Sequence, residues 1–171
     1  MATAGQIKRA RRLMALSDVE SIRLIAARVT HLPMSREQGR ARNAGRRILQ
    51  VVVSSPKTRG VLTDGNRLRV VIRYSLKAKR GSGKNPIVAL DVRATIELLY
   101  KLPEDLKPSV GEISAFCNTN ALLNSWPYWR EFTQNMISRM NLPPLTMPLF
   151  RFAPSSRRPS ASKESLGAKV R

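Results

Sequence analysis

Residues 67–77 read RLRVVIRYSLK, and their period of two decides the fold. Leu68, Val70, Ile72, Tyr74 and Leu76 share one side, while Arg67, Arg69, Val71, Arg73, Ser75 and Lys77 share the other. Successive side chains point to opposite faces only in extended chain, so this spelling predicts a half-buried antiparallel strand. Residues 87–101 (IVALDVRATIELLYK) repeat the pattern. Val88, Leu90, Val92, Ala94, Ile96, Leu98 and Tyr100 stand opposite Asp91, Arg93, Thr95, Glu97 and Lys101. The basic, glycine-containing link AKRGSGKNP between the two stretches predicts a hairpin of two long strands.

Toward the N-terminus, residues 18–32 (DVESIRLIAARVTHL) read as a strand ended by Pro33, with a helix as the competing reading. Residues 34–47 (MSREQGRARNAGRR) form an arginine-rich loop, and residues 48–54 (ILQVVVS) a short strand. Pro56, Gly60 and the pair Asp64-Gly65 mark residues 55–66 as turns. Residues 1–16, with Lys8, Arg9, Arg11 and Arg12, are either a short helix or a disordered arm.

Toward the C-terminus the period changes. Ser109 and Glu112 spell a capping box that opens a helix to about Asn120. A second helix starts near Ser125, tolerates Pro127 in its first turn, and carries Trp129, Phe132, Met136 and Met140 as one apolar stripe. The prolines of residues 142–150 (LPPLTMPLF) require extended chain. Residues 153–171 are expected to be a disordered basic tail. The expected architecture is α+β: a four-stranded antiparallel sheet with two C-terminal helices on one face. It comprises an arm (1–16), one domain (17–152) and a tail (153–171). Arm and tail lack apolar periodicity and are expected to be dispensable for folding.

The chain has 171 residues and a formal net charge of +20, which points to contact with polyanions. The excess is uneven. Residues 1–47 hold 11 basic and 3 acidic side chains, residues 48–84 hold 9 and 1, residues 85–152 hold 6 and 6, and residues 153–171 hold 5 and 1. A neutral fold with basic decoration fits this distribution. Arg40, Arg42, Arg46 and Arg47 in the loop are candidate polyanion contacts, as is the face bearing Arg67, Arg69, Arg73 and Lys77. That face has no aromatic side chain for base stacking, because Tyr74 and Tyr100 point the other way.

Little speaks for catalysis. One histidine, His31, and one cysteine, Cys117, leave no room for a multi-ligand metal site or an internal disulfide. Gly81-Ser82-Gly83-Lys84 lacks the spacing of a phosphate loop. Neither an enzyme, nor a metal, nor a cofactor is expected. No apolar run reaches the roughly 18–20 residues of a membrane span, and the basic N-terminus has no secretory apolar region. A reducing, cytoplasmic setting is expected. The apolar weight lies instead in Trp126, Tyr128, Trp129, Phe132 and Met136 and the run that follows, the soft surface an adaptable binder uses.

Pro127-Tyr128-Trp129-Arg130-Glu131-Phe132, then Ser138-Arg139, then Leu142-Pro143-Pro144-Leu145-Thr146 resemble the C-terminal signature of SecB-type protein-export chaperones. Residues 17–24 (SDVESIRL) are similar to that family's first strand, and the likeness is strongest to the SecB-like branch serving toxin–antitoxin systems. The resemblance covers roughly residues 17–152. It implies an ATP-independent holdase for unfolded or nascent clients, destined for export or including an antitoxin, assembled as a dimer of dimers. The family's groove position, with the local apolar content, implies client contacts at Leu32, Met34, Trp126, Trp129, Phe132, Leu142, Leu145 and Met147. Trp126, Leu142 and Leu145 are expected to be the probes with least packing to lose. Relatives that dock the SecA motor use an acidic outer sheet face and a metal-binding tail. Here that face is basic and the tail has no Cys or His, which puts docking to SecA in question. The alternative reading is a basic protein bound to RNA or the ribosome.

Overall fold

The architecture comes from a computed structural model that describes residues 4–32, 50–80, 87–142, 144–147 and 150. In chain order these form α1 (Ala4–Leu16), β1 (Asp18–His31), β2 (Gln50–Val53), β3 (Lys57–Thr63), β4 (Arg67–Arg80), β5 (Ile87–Lys101), α2 (Val110–Phe116) and α3 (Leu122–Arg139). A π-helical segment, Cys117–Ala121, joins α2 to α3. The sheet is antiparallel, in the order β1-β5-β4-β2, with β3 also pairing β4.

The period-two stretches form the centre, as expected. Leu68 pairs with Tyr100, Ile72 with Ile96 and Leu76 with Val92 across the β4–β5 register. All six are buried, at 0–2 % exposure, against α2 and α3. Tyr74 and Tyr100 lie on this inner face. Tyr74 Oη is 2.7 Å from Ser125 Oγ, and Asn124 Nδ2 donates to Tyr100 Oη at 3.1 Å. Burial pushes the Tyr74 hydroxyl up to about 12 and shifts Tyr100 upward as well, so both phenols stay neutral hydrogen-bonding groups.

Three features differ from the sequence expectation. The segment read as turns contains β3, whose residues 57–63 pair with residues 67–73 of β4 through a turn holding Gly65 (φ 74°) and Asn66 (φ 53°). β2 pairs with residues 76–79 of the same strand, so β2 and β3 together fill one sheet position, broken at residues 54–56. The four expected strand positions are present, and the fourth is split.

Gly60 explains why β3 is hard to read. A Cβ there would lie 2.6 Å from Cys117 Sγ and 2.7 Å from Ile113 Cγ2, so the glycine admits a helix rather than ending a strand. Thr58 Oγ1 donates to Asn118 Oδ1 at 2.9 Å and fastens the same contact.

The second difference is helical continuity. The capping box is present: Glu112 N–H donates to Ser109 Oγ and Ser109 N–H to Glu112 Oε2. From there the chain stays helical through the π-helical segment into α3, with no break near residues 120–125. Trp126 is therefore mid-helix.

The third concerns the N-terminus. Residues 4–16 form a helix packed on α2 and the π-helical segment. Ala10 and Leu13 are fully buried, and Lys8, Arg9, Arg11 and Arg12 face outward. Arg12 Nη1 lies 3.9 Å from Glu112 Oε1. This helix contributes to the core, which speaks against the dispensability expected from its lack of apolar periodicity. The tail, residues 153–171, lies outside the described residues.

Candidate client-binding groove

On the inner face α3 leaves the β1 edge partly open. The inward residues of β1, from the β1–β5 register, are Val19, Ile22, Leu24, Ala27, Val29 and His31. Leu24 is 50 % exposed, Ala27 is exposed, and Ile22, Val29 and His31 are half-buried. Two apolar hollows lie at the ends of this strip. One, of about 230 Å³, is bounded by Ile22, Leu24, Tyr128 and Phe132, with Glu131 and Asn135 at its polar side. The other, of about 180 Å³, is bounded by His31, Val51, Leu90, Ile137, Leu142 and Leu145. Strip and hollows lie in line along the inner side of β1 and together are the candidate groove. From residue 22 to residue 31 it spans roughly 30 Å at about 3.3 Å per residue.

The expected client residues divide among three places. Leu142 and Leu145 are half-buried walls of the second hollow. Leu32, 51 % exposed, follows His31 at its rim, where its N–H donates to Ala89 O at 2.9 Å. Phe132 is half-buried in the first hollow. Trp129, Trp126 and Met147 lie in the core at 0, 8 and 2 % exposure. The Trp129 ring stacks on Tyr74, with centroids 5.2 Å apart, and on Phe132 at 6.2 Å. Trp126 packs between Tyr74 at 6.0 Å and Phe150 at 5.5 Å. Trp126 is thus a packing residue, unlike Leu142 and Leu145, because the unbroken helix carries it under the sheet. Met34 and the basic candidates Arg40, Arg42, Arg46 and Arg47 lie outside the described residues.

Sequence reasoning missed the β1 side of the groove, formed by Ile22, Leu24 and Val29. The irregularity between Leu24 and Ala26 breaks their period of two, and nothing in the spacing says that Leu24 stays open while Ile22 and Val29 are half-buried. His31 lines the groove as one wall of an apolar hollow. Cys117 is buried, and burial pushes its thiol up to about 11, so it is a neutral packing group. Among the described residues no cluster of three or more His, Cys, Asp or Glu side chains could hold a metal, and no helix is long and apolar enough to cross a membrane.

The opposite face of the sheet is polar and mostly basic. Its one deeply buried charge is Glu97, 4 % exposed, which accepts from Arg69 and Arg23. The Arg69 hydrogen bond, followed by that of Arg23, holds its carboxyl below the usual range despite burial. A carboxyl whose folded value is depressed stabilises the fold fully above its unfolded value, near ~4.3, and loses that contribution as pH falls through the folded value. The Glu97→Gln variant should therefore show a flatter loss of urea stability than the parent between roughly pH 5 and pH 2. Equal slopes would show that Glu97 does not couple protons to folding.

No family model and no curated protein sequence matches the chain. Among solved structures, it superimposes on a Mycobacterium tuberculosis SecB-like chaperone in complex with a ChAD peptide from the HigA1 antitoxin. The TM-score is 0.65 and the identity 19 %, over 85 % of this chain and 99 % of that one. A protein of unknown function from Streptococcus agalactiae aligns at TM-score 0.43 and 10 % identity, over 78 % of this chain and 97 % of that one, and carries no argument. The chain has a SecB-like fold.

Proposed function

We propose that this chain, given its SecB-like fold, is a non-enzymatic, ATP-independent holdase of the cytoplasm that keeps unfolded or nascent polypeptides from aggregating. The observation that carries the reading is the uncovered apolar strip of β1 running between two apolar hollows. A groove of roughly 30 Å accepts about nine residues of extended chain. Each side chain fully buried there contributes roughly 1.5–3 kcal/mol, so a few weak contacts hold a client without a chemical cycle. The similar mycobacterial structure is bound to a peptide from an antitoxin, which supports a short segment of an antitoxin, or of an exported protein, as the client.

Assembly into a homo-oligomer, a dimer of dimers by analogy, belongs to the same proposal. Twelve of the fourteen residues of β1 pair with β5 on one side, and Val19, Leu24 and Ile25 are 45–50 % exposed. Docking to SecA is not part of the proposal.

The test uses Leu142→Ser and Leu145→Ser, singly and together. Both side chains are half-buried at the groove wall, so circular dichroism and oligomer size should stay native. Suppression of aggregation of a reduced, unfolded model protein should fall about tenfold in the double variant, the size of a loss near 1.4 kcal/mol. A double variant that is native and fully active would remove client binding from this groove.

A further inference from the structure

We infer that the outer face of the sheet is a docking surface for an acidic polypeptide segment whose carboxylates are interspersed with apolar side chains. This surface is separate from the apolar groove, because it lies on the other side of β4 and β5. Two hollows of about 880 and 560 Å³ lie there and share Lys57, Arg73 and Thr95, so they form one trough across β2, β3, β4 and β5.

The charge in the trough is one-sided. No carboxylate residue lines either hollow. Three acids of this face are already taken: Glu97 by Arg69 and Arg23, Asp91 by Arg93, and Glu20 by Arg67, while Asp18, opposite Lys101 at the start of β1, lines neither hollow. Lys57, Arg59, Arg73 and Lys79 form no ion pair among the described residues, and Lys77 faces Asp91 across the β4–β5 register without a salt bridge to it. Lys57 and Arg73 are direct register partners on one face, a pairing that repels and that a folded sheet has no internal reason to keep. An incoming anion relieves it. Ser54, Ser55, Ser75 and Thr95 add hydroxyl donors along the floor.

The trough is also partly apolar, and this selects the kind of anion. Val52, Val61 and Val88 are 37, 44 and 41 % exposed among the cations, with Ile25 at 46 %. A carboxylate-bearing peptide with intervening apolar residues satisfies both sets. A nucleic-acid strand brings bases that need stacking partners, and no aromatic ring faces the trough: Tyr74 borders it, but its ring is buried on the other face.

The chain itself does not supply the occupant. Residues 33–49 hold five basic side chains and one acidic, residues 81–86 hold Lys84 and no acid, and residues 153–171 hold five and one. A second copy at +20 is repelled in the same way.

The experiment is fluorescence anisotropy on the full chain at low salt. The probes are a labelled peptide alternating Glu and Val, its Ser-Val counterpart, and an oligouridylate of the same length. The Glu-Val peptide should bind, the Ser-Val peptide should not, and the oligouridylate should bind more weakly. Arg73→Ser with Lys77→Ser should weaken Glu-Val binding at least tenfold, as loss of close charge pairs across an interface does. Lys107→Ser, an exposed cation in the β5–α2 connection, should leave binding unchanged. The Leu142→Ser, Leu145→Ser variant should keep full peptide affinity even where it fails as a holdase, which separates the two surfaces. Tighter binding of the oligouridylate through Arg73 and Lys77 would overturn the proposal in favour of nucleic acid. Peptide binding that ignores Arg73 and Lys77, or that is lost with Leu142 and Leu145, would overturn the location.

Discussion

Removal of residues 1–16 is expected to unfold or aggregate the protein. Ala10 and Leu13 are fully buried against α2 and the π-helical segment, so the deletion exposes these contacts from the other side as well. Leu13→Ala alone should cost about 2–5 kcal/mol, the range for a buried leucine whose cavity does not collapse. For a chain of this size that lowers Tm by roughly 4–20 °C, at about 2–4 °C per kcal/mol. Arg9→Ser on the exposed face of the same helix should shift Tm by no more than a degree or two, within the ~0.5 kcal/mol usual for surface positions. Thermal melts of the three variants decide the matter. If the deletion melts like the parent, α1 is a passenger on the fold.

Gly60→Val is the second large effect, and it works by excess rather than loss. The first added carbon already meets Cys117 Sγ at 2.6 Å and Ile113 Cγ2 at 2.7 Å, and valine adds two methyl groups to the same gap. Neither neighbour is the free end of a long chain: Cys117 is 2 % exposed in the π-helical segment, and Ile113 packs on the core. Overpacking of this kind costs about 1–3 kcal/mol and occasionally more. β3 would separate from α2 or lose its register with β4. The milder Gly60→Ala should be partly rescued by Cys117→Ala, because the second change removes the sulfur that the new methyl meets. A double-mutant cycle on urea midpoints reads this coupling, expected at about 0.5–3 kcal/mol. Strict additivity would mean that the helix moves aside freely.

These two sites also show where the sequence stops being readable. β4 and β5 were legible because their alternation is long, and because each inner residue meets an inner residue across the register, as Leu68 meets Tyr100. The capping box was legible because it is local: Ser109 and Glu112 satisfy each other without distant help. β3 was not, since its inward positions are Thr58, Gly60 and Leu62, and only one of these is a large apolar residue. The space that makes Gly60 necessary is created by residues more than fifty positions away. The helix of residues 4–16 was one of two readings, and its burial was missed for a similar reason. Its buried side is two residues wide, within a run of four cations whose long stems are free to stay in water.

Half of the candidate groove was legible. Leu142 and Leu145 stood out by composition, and the structure places them at its wall with Leu32 at the rim. Trp126 was misjudged because its exposure depends on where the helix starts, and a π-helical join looks the same as a break in a string of residues. The basic outer face could be written down from period two alone. Which of its cations lack a counter-ion could not, because that depends on Glu97, Asp91 and Glu20 reaching Arg69, Arg93 and Arg67.

The two borders of the sheet are unequal, and this bears on how many copies can join through them. At one border β2 and β3 present four and seven residues, separated by Ser54, Ser55 and Pro56 and studded with Lys57 and Arg59. Short length, proline and like charge each discourage a neighbouring strand. At the other border β1 runs for fourteen residues. A border has valence one when a single strand can add to it, and among the described residues this sheet offers one such border rather than two. Edge-to-edge pairing through β1 is self-complementary and consumes both free borders at once, so it terminates at a two-fold pair. A fibre needs each subunit to give and to receive, and the interrupted border withholds the second half of that exchange.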